Sequence, residues 1–204
     1  MKQCELNRLR VTGWHEMIDS GIVETKGNTL ITGASGSGKS TIVDAILATL
    51  FVAPNLMNKA ANEKSARDIK SYVRCKRSDG TYKRNGAVYS YVVFEINTYN
   101  DGKFLYSSLI GACYSSPSAS QPVKANFFVI KNATLNDVDF FYKKDGAEYP
   151  KPWNQFLEDV IEAGFDDIKH KDTQKAAEEM FAGMLGLSSV DEFKRMQEIC
   201  GLST

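Results

Sequence analysis

Residues 33–41 read GASGSGKST, which fits the phosphate-binding pattern G-x-x-x-x-G-K-[ST]. Glycines allow successive backbone N–H groups to turn toward a phosphate, Lys39 adds a positive charge, and Ser40 offers a hydroxyl to magnesium. A charged polyphosphate leaves water only when such donors replace its hydration. The pattern therefore predicts a nucleotide site with magnesium, formed by Gly33, Ser35, Gly36, Ser37, Gly38, Lys39, Ser40 and Thr41.

The segments on either side of this loop have the types that the motif requires. Residues 28–32 read NTLIT and predict a short buried strand. Residues 41–50 predict a helix whose apolar side carries Ile42, Val43, Ile46, Leu47 and Leu50. A strand, a glycine loop and a helix place a helix N-terminus beneath a bound anion. A glycine-rich turn that matches by chance is the alternative, and it explains neither flank.

The rest of the chain predicts an α/β fold in two parts. Residues 1–150 predict a P-loop nucleotide-binding body with an antiparallel β-subdomain: a hairpin over 4–32, a helix near 60–69, and strands at 88–96, 104–114, 127–130 and 140–142. Residues 151–204 predict a small helical segment, with helices beginning near Pro152, Thr173 and Ser189. Antiparallel strands beside a P-loop core are typical of the head lobe of an ABC-type ATPase, which is the predicted fold class.

Charge is balanced over the whole chain but unevenly distributed. The 204 residues include 25 basic and 25 acidic side chains, yet residues 59–84 contain nine basic and three acidic ones. This asymmetry predicts a polyanion such as DNA near Lys59, Lys64, Lys70, Lys76, Arg77, Lys83 and Arg84. A solvated surface helix and hairpin is the alternative interpretation.

Cysteine usage and hydropathy predict a cytoplasmic protein. The four cysteines at positions 4, 75, 113 and 200 are far apart in sequence, as is usual for reduced thiols. The N-terminus lacks the apolar core of a secretory signal, and no stretch approaches the roughly 20 apolar residues of a membrane span. We therefore expect no contact with a membrane.

Several classes of P-loop protein fit this sequence poorly. Small-molecule kinases usually begin at the P-loop strand and need an arginine-rich lid, whereas a hairpin comes first here. GTPases need the guanine-reading text N-K-x-D, and the nearest text, IKNA at residues 130–133, differs from it. A self-contained kinase nevertheless stays open as the alternative, because kinases also use the form G-x-S-G-S-G-K-S.

Residues 32–46 resemble the G-x-x-G-S-G-K-S-x-x-x-D-A-I text of SMC-like head domains. Residues 65–74, 9–14 and 180–197 are similar to further segments of the MukB and Wadjet (JetC) groups. The resemblance implies ATP and Mg²⁺ as cofactors, a second head as homodimer partner, and DNA as the substrate of the cycle. It also implies that Arg74, or else Arg67, approaches the nucleotide and that Gln197 binds magnesium. For Arg74 the alternative is one more cation of a basic surface, and for Gln197 it is an exposed helix residue. Trp14 is expected in the core rather than at the nucleotide.

The resemblance also implies parts that this sequence does not show. No run of four apolar residues ends in Asp-Glu, as a Walker B strand would, and residues 187–190 (LSSV) lack the glycines of the L-S-G-G signature. We therefore expect the catalytic acid and the signature to come from the C-terminal half of the head. The chain alone would bind ATP and hydrolyse it weakly or not at all. A non-enzymatic, nucleotide-gated binding module is a further alternative.

Overall fold

Long strands with alternating side chains form the centre of the protein. In the strand over residues 88–100, Val92, Phe94 and Ile96 lie on one side and Tyr91 and Val93 on the other, and all five are buried. Alternation with both sides buried indicates a strand covered on both faces of its sheet. The computed structural model describes residues 2–57 and 68–202, with side chains through Ile199.

One antiparallel sheet contains seven of the described strands. The strands are β1 (Lys2–Trp14), β2 (Met17–Asp19), β3 (Val23–Glu24), β4 (Val88–Asn100), β5 (Lys103–Ser116), β6 (Lys124–Lys131), β7 (Phe141–Lys144), β8 (Ala147–Pro150) and β9 (Ile168–Lys171). The sheet order is β2-β1-β4-β5-β6-β9, with β3 also paired to β1, while β7 and β8 form a separate hairpin. The helices are α1 (Lys39–Thr49), α2 (Ile69–Val73), α3 (Trp153–Glu162), α4 (Gln174–Leu185) and α5 (Val190–Leu202).

The two faces of the sheet carry two separate cores. On one face, α1, α2, α4 and α5 pack against apolar side chains of β1, β4, β5 and β6. On the other face, α3 and the β7–β8 region cover an aromatic cluster that includes Phe128, Phe140 and Phe156. The molecule therefore has three layers, with the phosphate-loop helix in one outer layer.

Elements after residue 150 pack with elements before it, and the division there into two domains stays a prediction. Strand β9 pairs with β6 in the main sheet, and α4 and α5 share their core with α1. The predicted helix at 60–69 falls outside the described residues except for its last two. There α2 begins at Ile69, and its N-cap Asp68 accepts from the Ser71 backbone N–H at 2.7 Å. In the described ranges, no helix is long and apolar enough to cross a membrane.

The helix signals near the C-terminus are confirmed. Thr173 caps α4 by accepting a hydrogen bond from the Ala176 backbone N–H at 3.4 Å. Ser189 caps α5: its hydroxyl accepts from the Glu192 backbone N–H at 3.3 Å, and the Glu192 carboxylate accepts from the Ser188 backbone N–H at 2.8 Å. Each cap joins residues at most four positions apart, so the sequence alone can predict where these helices begin.

Candidate nucleotide site

The phosphate-loop residues form an exposed turn that ends in a helix. Helix α1 begins at Lys39 after Gly38, which has φ +91°, and Gly36 has φ +80°. Side chains rarely adopt these backbone angles, so glycine at both positions allows the tight curve of the loop. The curve brings the loop directly onto the N-terminus of α1.

The first turn of α1 presents backbone donors. The first intrahelical bond runs from the Ile42 N–H to the Gly38 carbonyl at 3.1 Å. The N–H groups of Lys39, Ser40 and Thr41 precede it and have no acceptor within the helix. A helix N-terminus also carries partial positive charge, so these groups are suited to bind an anion.

The Lys39 side chain lies over the loop. Its ammonium donates to the carbonyls of Gly33 and Ala34, both at 2.7 Å. The loop is tightly closed, since a Cβ on Gly33 would come within 2.6 Å of the Ser37 hydroxyl oxygen. Three helix N–H groups, one ammonium and the exposed Ser40 hydroxyl together form a donor set that fits a polyphosphate with magnesium.

Magnesium at this site would depend on few protein ligands. Across the described residues, no group of three or more His, Cys, Asp and Glu side chains is arranged to hold a metal ion. Mg²⁺ is usually held at such sites by one or two protein oxygens together with phosphate oxygens and water. Ser40 is the residue of α1 that would supply such an oxygen.

The segment before the loop differs from its prediction. Residues 28–32 are not a strand in the structure, and Leu30 and Ile31 are 84% and 37% exposed. The prediction of a buried strand was wrong for this chain alone because burial needs neighbouring strands, and the described residues supply none. Two adjacent apolar side chains therefore face solvent immediately before the phosphate loop.

Arg74 is completely buried and lies in a cage of carbonyl oxygens. Its Nη1 donates to the carbonyls of residues 84, 85 and 86 at 2.9, 3.3 and 3.1 Å, and its Nη2 donates to the Ser116 carbonyl at 3.0 Å. Burial lowers the pKa of Arg74 below its usual value. Here Arg74 joins the loop after α2 to the end of β5, and its contact with a nucleotide stays a prediction. Arg67, the alternative, lies outside the described residues.

Gln197 lies at the opposite end of α1 from the phosphate loop. Its amide donates to the Phe51 carbonyl at 2.7 Å and to the Glu178 carboxylate at 3.1 Å. Phe51 follows the C-terminus of α1, whereas Ser40 is in its first turn. A helix rises about 1.5 Å per residue, so the two ends of α1 are roughly 16 Å apart. The structure does not bring Gln197 to the predicted magnesium position.

The predicted basic cluster is divided in the structure. Lys59 and Lys64 lie outside the described residues. Arg84 points inward, donating to the carbonyls of Val73 at 2.9 Å and His15 at 2.7 Å, and burial lowers its pKa. Lys76, Arg77 and Lys83 are exposed, and Lys83 pairs with Glu16 at 2.6 Å. Binding of DNA here stays a prediction.

Three buried residues behind the loop were not part of the predicted site. Trp14 is fully buried, as expected for a core residue, and its indole N–H donates to the Thr41 carbonyl at 3.2 Å. The Tyr72 hydroxyl donates to the Asp44 carboxylate. Asp44 is buried with Ala45 and Ala48, whereas the side of α1 that the sequence predicted to be buried carries Ile42, Val43 and Ile46, which are only half-buried.

Comparison with known families supports the phosphate-binding loop and identifies no more specific class of protein. A family model described as the P-loop containing region of AAA domain matches residues 6–64. The chain contains a P-loop nucleotide-binding region. The match extends from β1 through α1 and covers less than a third of the 204 residues. No curated protein matches the chain.

Proposed function

We propose that this chain is the ATP-binding half of a composite, SMC-like ATPase head, in which another polypeptide segment completes the sheet and the catalytic site. The observation that carries the proposal is the exposure of residues 28–32. In the P-loop motif the strand before the loop belongs to a parallel sheet that is buried on both faces. Here that segment has two exposed apolar side chains, Leu30 and Ile31.

The sheet that the chain does form supports the same proposal. Every strand pair in residues 2–57 and 68–202 is antiparallel, and none includes residues 28–32. An antiparallel sheet therefore serves as the support for α1, while the parallel partners of the P-loop segment would come from outside the chain. The C-terminal half of an SMC-like head, with its Walker B strand, is the proposed source.

The proposed chemistry is attack of water on the γ-phosphate of ATP. Lys39 and the N–H groups of residues 39–41 would bind the phosphates, and magnesium held by Ser40 would neutralise part of their charge. The acid that orients the water would come from the complementary half. ATP binding would join this head to a second one and hydrolysis would separate them, in a cytoplasmic cycle that acts on DNA.

A self-contained small-molecule kinase remains the second candidate, because its loop has the same form. Such a kinase buries its P-loop strand within its own sheet, and the exposure of Leu30 counts against that arrangement. The two candidates also differ in their product, since a kinase transfers the γ-phosphate to an acceptor other than water.

The test compares the chain alone with the chain plus its complement. The natural reading frame, or a neighbouring gene, is first searched for coiled-coil heptads followed by L-S-G-G and Walker B text. The isolated chain should bind ATP with Mg²⁺ and release no more phosphate than its Lys39→Ala variant, and adding the complementary segment should start hydrolysis. Rapid multiple-turnover hydrolysis by the isolated chain, or transfer of phosphate to a small acceptor, would contradict the proposal.

A further inference from the structure

Three aromatic side chains contact α1 through their polar ends, two from the sheet and one from α2. At the N-terminal half of α1, the Trp14 indole of β1 donates to the Thr41 carbonyl and the Tyr72 hydroxyl of α2 donates to the Asp44 carboxylate. At its C-terminal end, the Tyr114 hydroxyl of β5 lies 2.9 Å from the Thr49 hydroxyl and 3.2 Å from the Ala48 carbonyl. All three aromatic rings are buried, with exposures of 2% or less.

The sequence of α1 permits this close approach. Asp44 and Ala45 lie three and four residues after Thr41, and Ala48 lies four and three residues after them, so all four lie along one side of the helix. Ala45 and Ala48 are 0% and 1% exposed. Their small side chains leave room for the large rings, and Asp44 provides the acceptor oxygen for the Tyr72 hydroxyl.

Trp14 and Tyr72 act as one unit. Their rings stack with centroids 4.9 Å apart and an interplanar angle of 4°. The Tyr72 carbonyl also accepts a hydrogen bond from the His15 backbone N–H at 2.8 Å, which joins α2 to the end of β1. The pair therefore links two elements of the body to the first two turns of α1.

We propose that Trp14 and Tyr72 are positioning residues for the phosphate-binding turn. The proposal rests on nucleotide binding at the P-loop and adds the part of the protein that sets its geometry. Thr41 directly follows the loop motif, and holding its carbonyl and the Asp44 carboxylate fixes the rotation and tilt of the turn that presents the N–H groups of residues 39–41. Anion sites tolerate only small displacements of such donors, so loss of either attachment weakens binding.

Three variants test the proposal. Tyr72→Phe and its matched control at the far end of α1, Tyr114→Phe, each remove one hydroxyl, whereas Trp14→Phe removes the indole N–H together with part of a fully buried ring. ATP–Mg²⁺ affinity is measured by calorimetry, and the free energy of unfolding by urea titration. We expect affinity to fall about tenfold in the first two variants and less than about twofold in the control, at comparable loss of stability. Equal loss of affinity in all three, or no loss in the first two, would overturn the proposal.

The second measurement is the fluorescence of Trp14 in folded protein that keeps the hydrogen bonds of Trp14 and Tyr72 to α1. Trp153 lies on the opposite face of the sheet, so Trp153→Phe leaves Trp14 as the single indole. ATP–Mg²⁺ should change the Trp14 emission while acrylamide quenching stays low, because the indole is fully buried. The same change should be missing when Lys39→Ala is added. Normal ATP binding with unchanged Trp14 emission would contradict the positioning role of Trp14 and leave the nucleotide site standing. No ATP binding by the wild type would contradict both the positioning role and the nucleotide site.

Discussion

We expect Lys39 to contribute to the proposed site through its charge and not through packed volume. Its ammonium contacts two loop carbonyls at the surface, so Lys39→Ala removes no core contact. We expect the variant to lose ATP binding while its free energy of unfolding changes by less than about 0.5 kcal/mol. Calorimetry and urea unfolding measure the two quantities, and Lys26→Ala, which removes an exposed lysine before the loop, is the control. ATP affinity equal to that of the wild type would exclude the assigned role.

Arg74 should behave in the opposite way. Replacing it by Met leaves the carbonyls of residues 84–86 and Ser116 without their buried donor. We expect the free energy of unfolding to fall by about 3 kcal/mol. Urea denaturation checks this, with Arg77→Met at an exposed neighbouring position as the control. A loss below about 1 kcal/mol would show that the carbonyl cage is not a main structural contact.

Single residues were predictable where their role is local. Gly36 and Gly38 have positive φ angles and α1 begins at Lys39, so the local course of the loop is one that the sequence pattern predicts, while phosphate binding by these residues stays a prediction. Arg74 and Gln197 depend on how distant segments pack, since Arg74 contacts the end of β5 and Gln197 contacts α4. No spacing within their own segments carries that information.

At the scale of elements, residues 28–32 have an apolar pattern that the fold does not bury. Leu30 is 84% exposed, so Leu30→Asp should change the stability of the isolated chain by less than about 0.5 kcal/mol. The same change should weaken association with the complementary half at least about tenfold, because a charge would enter a buried parallel sheet. Ile18→Asp, at another exposed apolar position (70% exposed), is the control and should affect neither quantity. Unchanged association of the Leu30 variant would contradict the proposed docking.

Glu95 links β4 to β1 and to the segment after β6. Burial favours a higher pKa for this carboxyl, but hydrogen bonds from Arg8, the Leu135 backbone N–H and Asn7 outweigh it, so its pKa lies below the usual value. A lowered pKa in the folded state contributes stability that is present above the ordinary value of 4.5 and is lost as the pH falls through the folded pKa.

Glu95→Gln tests this contribution. The variant should be less stable than the wild type by about 1–3 kcal/mol at pH 7, and the difference should shrink as the pH falls. Urea midpoints measured from pH 7 down to pH 3 check it, with the exposed Glu24→Gln as the control. A difference that stays constant across this range would contradict the ionic role of Glu95.

The main strands and the late helices were predictable because their signals are strong and local. Alternation over β4 and the turn at residues 100–102 indicate the central hairpin. Strand β9 was missed because its sequence, IKHK, contains one apolar residue, and only pairing with β6 makes it a strand. For residues 28–32 the error is the opposite one: a strand was predicted from an apolar pattern, but the neighbouring strands that would bury it are not among the described residues.

At the scale of the whole molecule, the two cores share one sheet and should unfold together. Phe156 lies in the core on one face and Phe181 in the core on the other, and both are fully buried. Each change to Ala should cost about 3–5 kcal/mol and shift one cooperative transition. Far-ultraviolet circular dichroism and tryptophan fluorescence should give the same midpoint for each variant. Separate transitions would support the division at residue 150 that the sequence predicted.

The central claim is that residues 33–41 bind the phosphates of ATP while the catalytic acid comes from another segment. The most direct measurement is a calorimetric titration of the isolated chain with ATP and Mg²⁺, followed by a phosphate-release assay on the same sample. We expect saturable binding at one site, its loss in Lys39→Ala, and no sustained phosphate release. Absence of binding, or sustained hydrolysis by the chain alone, would contradict it.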